Sequence, residues 1–384
     1  MTKTPLKTSA YFLAALALLL AVSISYAVQP TLAYVENLQI QLQFDDAGNF
    51  NADRAAVMIA HQGRAQFAMI NKDGDVLFTA DEFHDIDNGV TTFRQNDLWG
   101  VVDHDGQIIL SPAYLRINAF KQGRAAFLEH GKWGFLNTAG EPVIPAHYDN
   151  VGSFTDDALA GFQKNNLWGY LNTTGDEVIA PQYTEIQHFS EQRAAVKIAD
   201  NWGYIDPEDK VLITPQFSQA RVFREGYAAV AIDELWGYID KQGNWLVKPQ
   251  FEQAKAFREG FAAVKQNGRY GYLNTKGENT KGELVVAPYF DDAWSFNEGL
   301  ARVEKDALVG YIDKTGAMAI EAKYVWAHSF TDGLAVVTQN YRQYGFIDRN
   351  GEIVIDAQFE HARPFHNGLA AIKLRNKWGY IRAD

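Results

Sequence analysis

The chain has 384 residues, 47% apolar and 21% charged, with a formal net charge of −12 and no cysteine. Such a composition argues against disorder and leaves ample material for a core. The acidic balance with no basic run argues against a phosphate backbone as partner, and the missing thiols exclude disulfides, thiolate nucleophiles, cysteine-type zinc sites and a lipoprotein anchor.

In chain order, the first element is a targeting segment. Lys3 and Lys7 precede an apolar stretch from Tyr11 to Val22, and Ser25-Tyr26-Ala27 supplies a small-x-small site. These are the three parts of a secretory signal, and the apolar run is short for a bilayer span of roughly 20 residues. Residues 1–27 are expected to be a signal peptide cleaved after Ala27, which places the mature chain in a periplasm or outside the cell. Loss of its two lysines takes the formal charge from −12 to −14. If the segment were retained, the protein would be tethered to a membrane. Residues 28–43 read as a lead-in.

From residue 44 to residue 384 the sequence repeats itself. Trp-Gly pairs stand at Trp99-Gly100, Trp133-Gly134, Trp168-Gly169, Trp202-Gly203, Trp236-Gly237 and Trp378-Gly379. The register is kept, with another residue before the glycine, at Tyr270-Gly271, Val309-Gly310 and Tyr344-Gly345. Successive pairs are 34 or 35 residues apart, except for one spacing of 39 where TKGEN at 275–279 is followed by TKGE at 280–283. A degenerate copy, with Phe67-Ala68-Met69-Ile70-Asn71 in place of WGYID, comes first.

Each unit reads as three short strands, such as Ala228–Ile232, the WGYID segment at 236–240 and WLVK at 245–248. Between the second and third, an Asn or Asp is followed three residues later by Gly, as at Asp240 and Gly243, which predicts a tight turn. Prolines 112, 145, 181, 215, 249 and 288 are expected to end the third strand, because proline cannot donate to a ladder. A polar connector carrying a second Phe follows.

A meander of this size cannot bury its own aromatic face, and stacked copies bury each other's. The Trp-Gly residues are therefore expected to be structural, with the glycine either admitting a neighbouring backbone or taking a conformation denied to other residues, and the Trp filling the adjoining space. Val309, the smallest filler, predicts looser packing. The expected fold is all-β: tandem three-stranded repeats of ~34 residues stacked as an open, twisted solenoid-like array. Nine units exceed the usual four to eight propeller blades. A closed propeller-like ring is the alternative, because the array stops after Trp378 without a third strand and could pair with the N-terminal half-unit.

The recurring WGYID at 236–240, GEIVI at 351–355, Pro-Gln-Tyr/Phe at 181–183 and 215–217, and F-R-E-G-F-A-A-V at 257–264 resemble the WG-repeat (KWG-type) family over residues 44–384. The resemblance implies a β-repeat module common in exported bacterial proteins, and it brings no catalytic residues with it.

One connector column varies from unit to unit: Gly152, Gln187, Arg221, Lys255, Trp294, His328 and Arg363. Variation at a fixed position means that packing does not choose the residue, so the column is expected to be exposed and available for binding. Arg221, Lys255, Trp294, Trp326, His328 and Arg363 are the candidate binding residues. The nine histidines show no short metal-ligand spacing, and Asp103-His104-Asp105-Gly106 falls in a turn rather than a calcium loop. No metal or cofactor is expected. Acids recur in register (Asp149, Glu185, Glu252, Asp291, Glu360), as connector residues do and as a pair of catalytic carboxylates would not. The expected function is a non-enzymatic exported binding or scaffold protein for a protein or cell-envelope glycan. An envelope glycan hydrolase is the runner-up reading.

Overall fold

Each repeat folds into an antiparallel sheet because its three apolar segments are joined by turns that only special residues can make. The first turn, between the AAV and Trp-Gly segments, has positive φ at both central positions, as at Asp233 (49°) and Glu234 (70°). That backbone matches the twist of a two-residue hairpin. The second turn is closed by the expected side chain: Asp240 Oδ1 accepts the amides of Gln242 and Asn244, and Gly243 takes a φ of 84°.

In the computed structural model, residues 38–61, 64–87, 89–275 and 284–383 are described. The expected signal peptide, residues 1–27, and most of the TKGEN duplication lie outside them. The described residues form ten four-stranded antiparallel sheets, and residues from Gln39 onward make one compact unit. The sheets, here called blades 1 to 10, begin at Asp46, Glu82, Arg116, Asn150, Glu185, Gln219, Gln253, Asp292, Trp326 and His361. Blade 6 is typical, with strands Gln219–Ala220, Tyr227–Ile232, Leu235–Asp240 and Trp245–Phe251 in that spatial order.

Four strands replace the three expected. The additional one is usually two residues long, too short for alternation to reveal, and it lies in what reads as the polar connector. The prolines do not end the outer strand either. Pro249 lies inside Trp245–Phe251, at a bulge where the pairing shifts from Trp236–Phe251 to Tyr238–Val247. An edge strand tolerates a residue with no N–H to donate. The same bulge explains the Trp-Gly motif. A Cβ on Gly237 would stand 2.5 Å from the Val247 carbonyl oxygen and 2.8 Å from Pro249 N, so only glycine admits the outer strand.

The array is closed, which overturns the open solenoid. Blade 10 contributes His361–Ala362, Leu369–Leu374 and Lys377–Arg382, and its fourth strand is Leu38–Phe44 from the other end of the described chain. Gly379 meets the Ile40 carbonyl as Gly237 meets that of Val247, with a Cβ 2.5 Å from it. The contacts between blades repeat across this seam. Tyr204, Tyr238 and Tyr311 donate to the carbonyls of Arg221, Lys255 and His328 in the next blade, and Tyr380 donates at 2.9 Å to Gly48 of blade 1. Asn297 donates to Phe330 O between blades 8 and 9, and Asn367 donates to Phe50 O across the seam. A second relay uses the acid of the recurring E/D-G pair. Gly226 N donates to Glu191, Glu259 N and Gly260 N to Glu225, Gly299 N to Glu259, and Gly333 N to Glu298. A ring is favoured because every unit then makes the contact that a terminal unit would forgo. The fold is a ten-bladed β-propeller.

Candidate functional site

The short first strand and the connector that extends it form the inner edge of each blade. The connector residue immediately beyond the strand stays in register with the second strand: Gln187, Arg221, Lys255, His328 and Arg363 donate their amides to Ala195, Ala229, Ala263, Val336 and Ala371. Gly48, His84, Asn118 and Gly152 make the same bond, so the column has one member in every blade. Column members of neighbouring blades share space at the centre of the ring. Gln187 and Arg221 line one cavity of about 630 Å³, and Gly48, His84 and Arg363 line another of about 470 Å³ across the seam.

Most of the column is not freely exposed, contrary to the sequence-based expectation. Arg221 is exposed, while Lys255, Trp294, His328 and Arg363 are half-buried, as is Trp326 on the first strand of blade 9. Packing on the Trp-Gly aromatic is the reason. Arg221 lies 4.7 Å from the centre of the Trp236 ring, Lys255 5.2 Å from Tyr270, and Arg363 5.2 Å from Trp378. In blade 2, His84 stacks on Trp99 at 4.4 Å and 9°. A cation over an aromatic face is held by the ring quadrupole.

Blade 8 exchanges the partners. Its Trp-Gly position holds Val309, the column holds Trp294, and the cation comes from Arg302, 3.8 Å from the Trp294 ring. Arg302 occupies the place of Ala195, Ala229 and Ala263 in other blades and donates to Ala327 O of blade 9. The packing is therefore not loose, and Val309 is buried at 5% exposure. Burial lowers the Arg302 pKa, yet the group remains a cation.

Trp326, His328, Tyr344, His361 and Trp378 continue the pattern with ring separations of 6.0 Å or less. Blades 6 to 10 thus carry an inner arc of aromatic rings, with a cation over them in blades 6, 7, 8 and 10 and an imidazole in blade 9, and the six sequence-predicted binding residues are spread along it. Arg363 pairs with Asp46 at 3.0 Å and Lys255 with Asp292 at 3.5 Å. Arg221 has no ion pair among the described residues. His328 and His361 are shifted below the usual imidazole value, chiefly by burial, with Arg302 and Arg363 adding to the effect. The sequence reading passed over Arg302, Tyr270, Tyr344 and His361. Arg302 had a signal, since it breaks the small-residue position of the repeat in the same unit that loses its Trp.

The acids recurring in register are committed to turns. Asp149 accepts Asn165 N, Glu252 accepts Gly268 N, Asp291 accepts Asp306 N, and Glu360 accepts the amides of Arg375 and Asn376. Glu185 instead pairs with Lys197 at 2.6 Å.

A ring of radial four-stranded blades with this recurring inner edge defines a repeat propeller. The model of the WG containing repeat matches eight consecutive segments, at residues 99–133, 133–168, 168–202, 202–236, 236–270, 279–308, 310–342 and 344–378. The chain belongs to the WG-repeat family. No curated protein matches it. Among solved structures, a eukaryotic initiation factor is similar at 10% identity and a TM-score of 0.51, covering 86% of this chain and 98% of that one. BamB from Moraxella catarrhalis is similar at 10% identity and a TM-score of 0.33, covering 82% and 97%. PorZ, a surface component of the type-IX secretion system of Porphyromonas gingivalis, is similar at 10% identity and a TM-score of 0.28, covering 88% and 57%. The chain therefore spans just over half of PorZ. The first likeness speaks to fold alone, and the other two carry no argument.

Proposed function

We propose that the protein is a non-enzymatic, exported binding protein whose inner arc meets a cell-envelope glycan or a protein surface. The observation that carries this reading is the arc itself: consecutive blades present cations and aromatic rings at the centre of the ring, in a chain whose formal charge is −12. Aromatic faces with adjacent donors suit sugar rings and planar side chains, and the cations add selectivity for acidic groups. The recurring acids support a non-catalytic reading, because they are engaged by turn amides and lysines.

The test is co-sedimentation of the mature protein with insoluble envelope glycan, beside an Arg221→Ala/Trp326→Ala variant of equal melting temperature. Binding weakened by about tenfold, one good contact's worth, supports the arc. Equal binding by the two proteins would remove the arc from the reading.

A further inference from the structure

At the junction of blades 4 and 5 the ring leaves a cavity of about 1000 Å³. It is made by subtraction. The column residue of blade 4 is Gly152, so no column side chain covers the Trp-Gly ring of that blade. The facing position on the second strand is Gly161, where blades 3, 5, 6 and 7 have alanine, and the room it leaves admits Ile186 of blade 5, whose Cδ1 lies 2.6 Å from where a Cβ would stand. Among the described residues, no cation or ring stacks on Trp168 or Trp202, and both line the cavity. Trp168 is half-buried, whereas Trp236 and Trp378 are buried beneath arginines.

The walls define the chemistry of an occupant. Trp168 and Ile186 give a flat apolar floor. Around it stand the Ser153 hydroxyl, the Gln187 amide and the His188 ring, which make no side-chain hydrogen bond among the described residues. Asp156, Asp157, Glu185 and Glu191 also line the space, against Lys121 and Arg224, so the lining disfavours an anion. A pyranose has one face of C–H bonds and an equatorial belt of hydroxyls that both donate and accept, matching a floor that stacks and a rim that does both. The volume is at the upper end of ordinary ligand sites, roughly 300–1,000 Å³, and accommodates more than a single sugar ring.

We infer that the cleft between blades 4 and 5 is a binding site for a neutral oligosaccharide, with one ring stacked on Trp168 and its hydroxyls held by Ser153, Gln187 and His188. Its Ser153 and Trp168 lie apart from the arc of blades 6 to 10, whereas Gln187, His188 and Trp202 also line the neighbouring cavity with Arg221 and Trp236, so a substitution at the blade 4 end distinguishes the two sites.

The experiment titrates the mature protein with chitotriose, cellotriose and maltotriose as neutral probes and with trigalacturonate as the acidic one, reading tryptophan fluorescence and calorimetric heat. The variant is Gly152→Arg. A Cβ at Gly152 meets only the Gly161 backbone, at 3.7–3.8 Å and without positive φ, so the substitution fits the fold. Its side chain is expected to cover Trp168 as Arg221 covers Trp236. The expected result is a neutral trimer bound at millimolar concentration or better, weakened about tenfold or more by Gly152→Arg and similarly by Gln187→Ala/His188→Ala, with melting temperatures unchanged. Failure of all three neutral trimers to bind would overturn the inference. So would undiminished binding by Gly152→Arg, or trigalacturonate binding as tightly as the neutral trimers.

Discussion

Blades 4 and 8 are built on the same backbone and solve the inner edge in opposite ways. Blade 4 keeps its Trp168 and removes what would cover it, with Gly152 in the column and Gly161 on the second strand. Blade 8 gives up its Trp for Val309 and fills the space twice over, with Arg302 from the strand and Trp294 from the column, 3.8 Å apart. The hydrogen bonds to neighbouring blades are the same in kind: Tyr170 donates to Gln187 O as Tyr311 donates to His328 O. The frame and the inner edge therefore vary independently. Junction bonds that use backbone carbonyls and turn amides leave the column side chains open to change, and the ring accommodates a cleft at one junction and a filled one elsewhere.

Arg302→Ala tests the filled side most severely. It removes the cation that replaces a tryptophan and leaves space beside Val309, where collapse is resisted by Tyr311 and Ala327, both at 0% exposure. A loss of about 2 kcal/mol is expected in urea unfolding, as for truncation of a well-packed side chain. Adding Val309→Trp should recover much of that loss by restoring the arrangement of the other blades. Two additive losses would show that Arg302 and Val309 do not share one space.

This compensation also marks how far the sequence could be read. The period, the strands around Trp-Gly and the turn at Asp240 and Gly243 were legible because each is a local pattern. Strict recurrence also identified Gly237 as a point of close backbone approach. The two-residue strand Gln219–Ala220 was not legible, because no periodicity can be seen in two residues. Closure was placed second to an open array because the partner of Lys377–Arg382 is Leu38–Phe44, more than three hundred residues away and, up to residue 43, within the expected lead-in. Its apolar members Ile40 and Phe44, both 2% exposed, lie in a segment without the Trp-Gly signature. The varying column was found, but its stacking on Trp236, Tyr270 and Trp378 was not, since that contact joins residues 15 apart through a strand the sequence did not show.

Buried imidazoles make both sides of the ring pH-sensitive: burial lowers the pKa of His188 beside the cleft and of His84 in blade 2, as it does for two histidines on the filled side. His328 and His361, in blades 9 and 10, have pKa values depressed below 6.5, first by burial and then by the charges facing them. Those are Arg302 and His366 for the first, and Arg363 and Lys373 for the second, against Asp46. The folded state therefore binds fewer protons than the unfolded chain as pH falls below about 6.5, and stability present above that value is lost through the window beneath it. Asp45 and Glu259 are depressed as well. Asp45 is held down chiefly by Lys377; for Glu259, Lys314 and the Gly299 amide outweigh burial. Their contribution is lost only as pH falls below the 3.8–4.5 range of free carboxyls. Melting between pH 7 and pH 5 thus isolates the imidazoles, and a fall of a few degrees is expected; because burial also lowers the pKa of His84 and His188, His328→Gln/His361→Gln should reduce the slope without abolishing it. An unchanged slope in that variant would move the effect elsewhere.

The smallest effect is expected at Arg221. It is exposed, lacks an ion pair among the described residues, and touches the fold through the Trp236 face at 4.7 Å. An exposed cation–π contact is worth about 0.5–1 kcal/mol. Arg221→Ala should lower stability by no more than that in the same urea assay, well short of Arg302→Ala, although both remove a guanidinium from an aromatic ring. The difference separates the two roles. At Arg302 packing has chosen the residue, whereas at Arg221 the ring would tolerate many residues, and a cation standing there is free to serve a partner. A loss at Arg221 as large as that at Arg302 would make it one more structural member of the inner edge and weaken the arc as a binding surface.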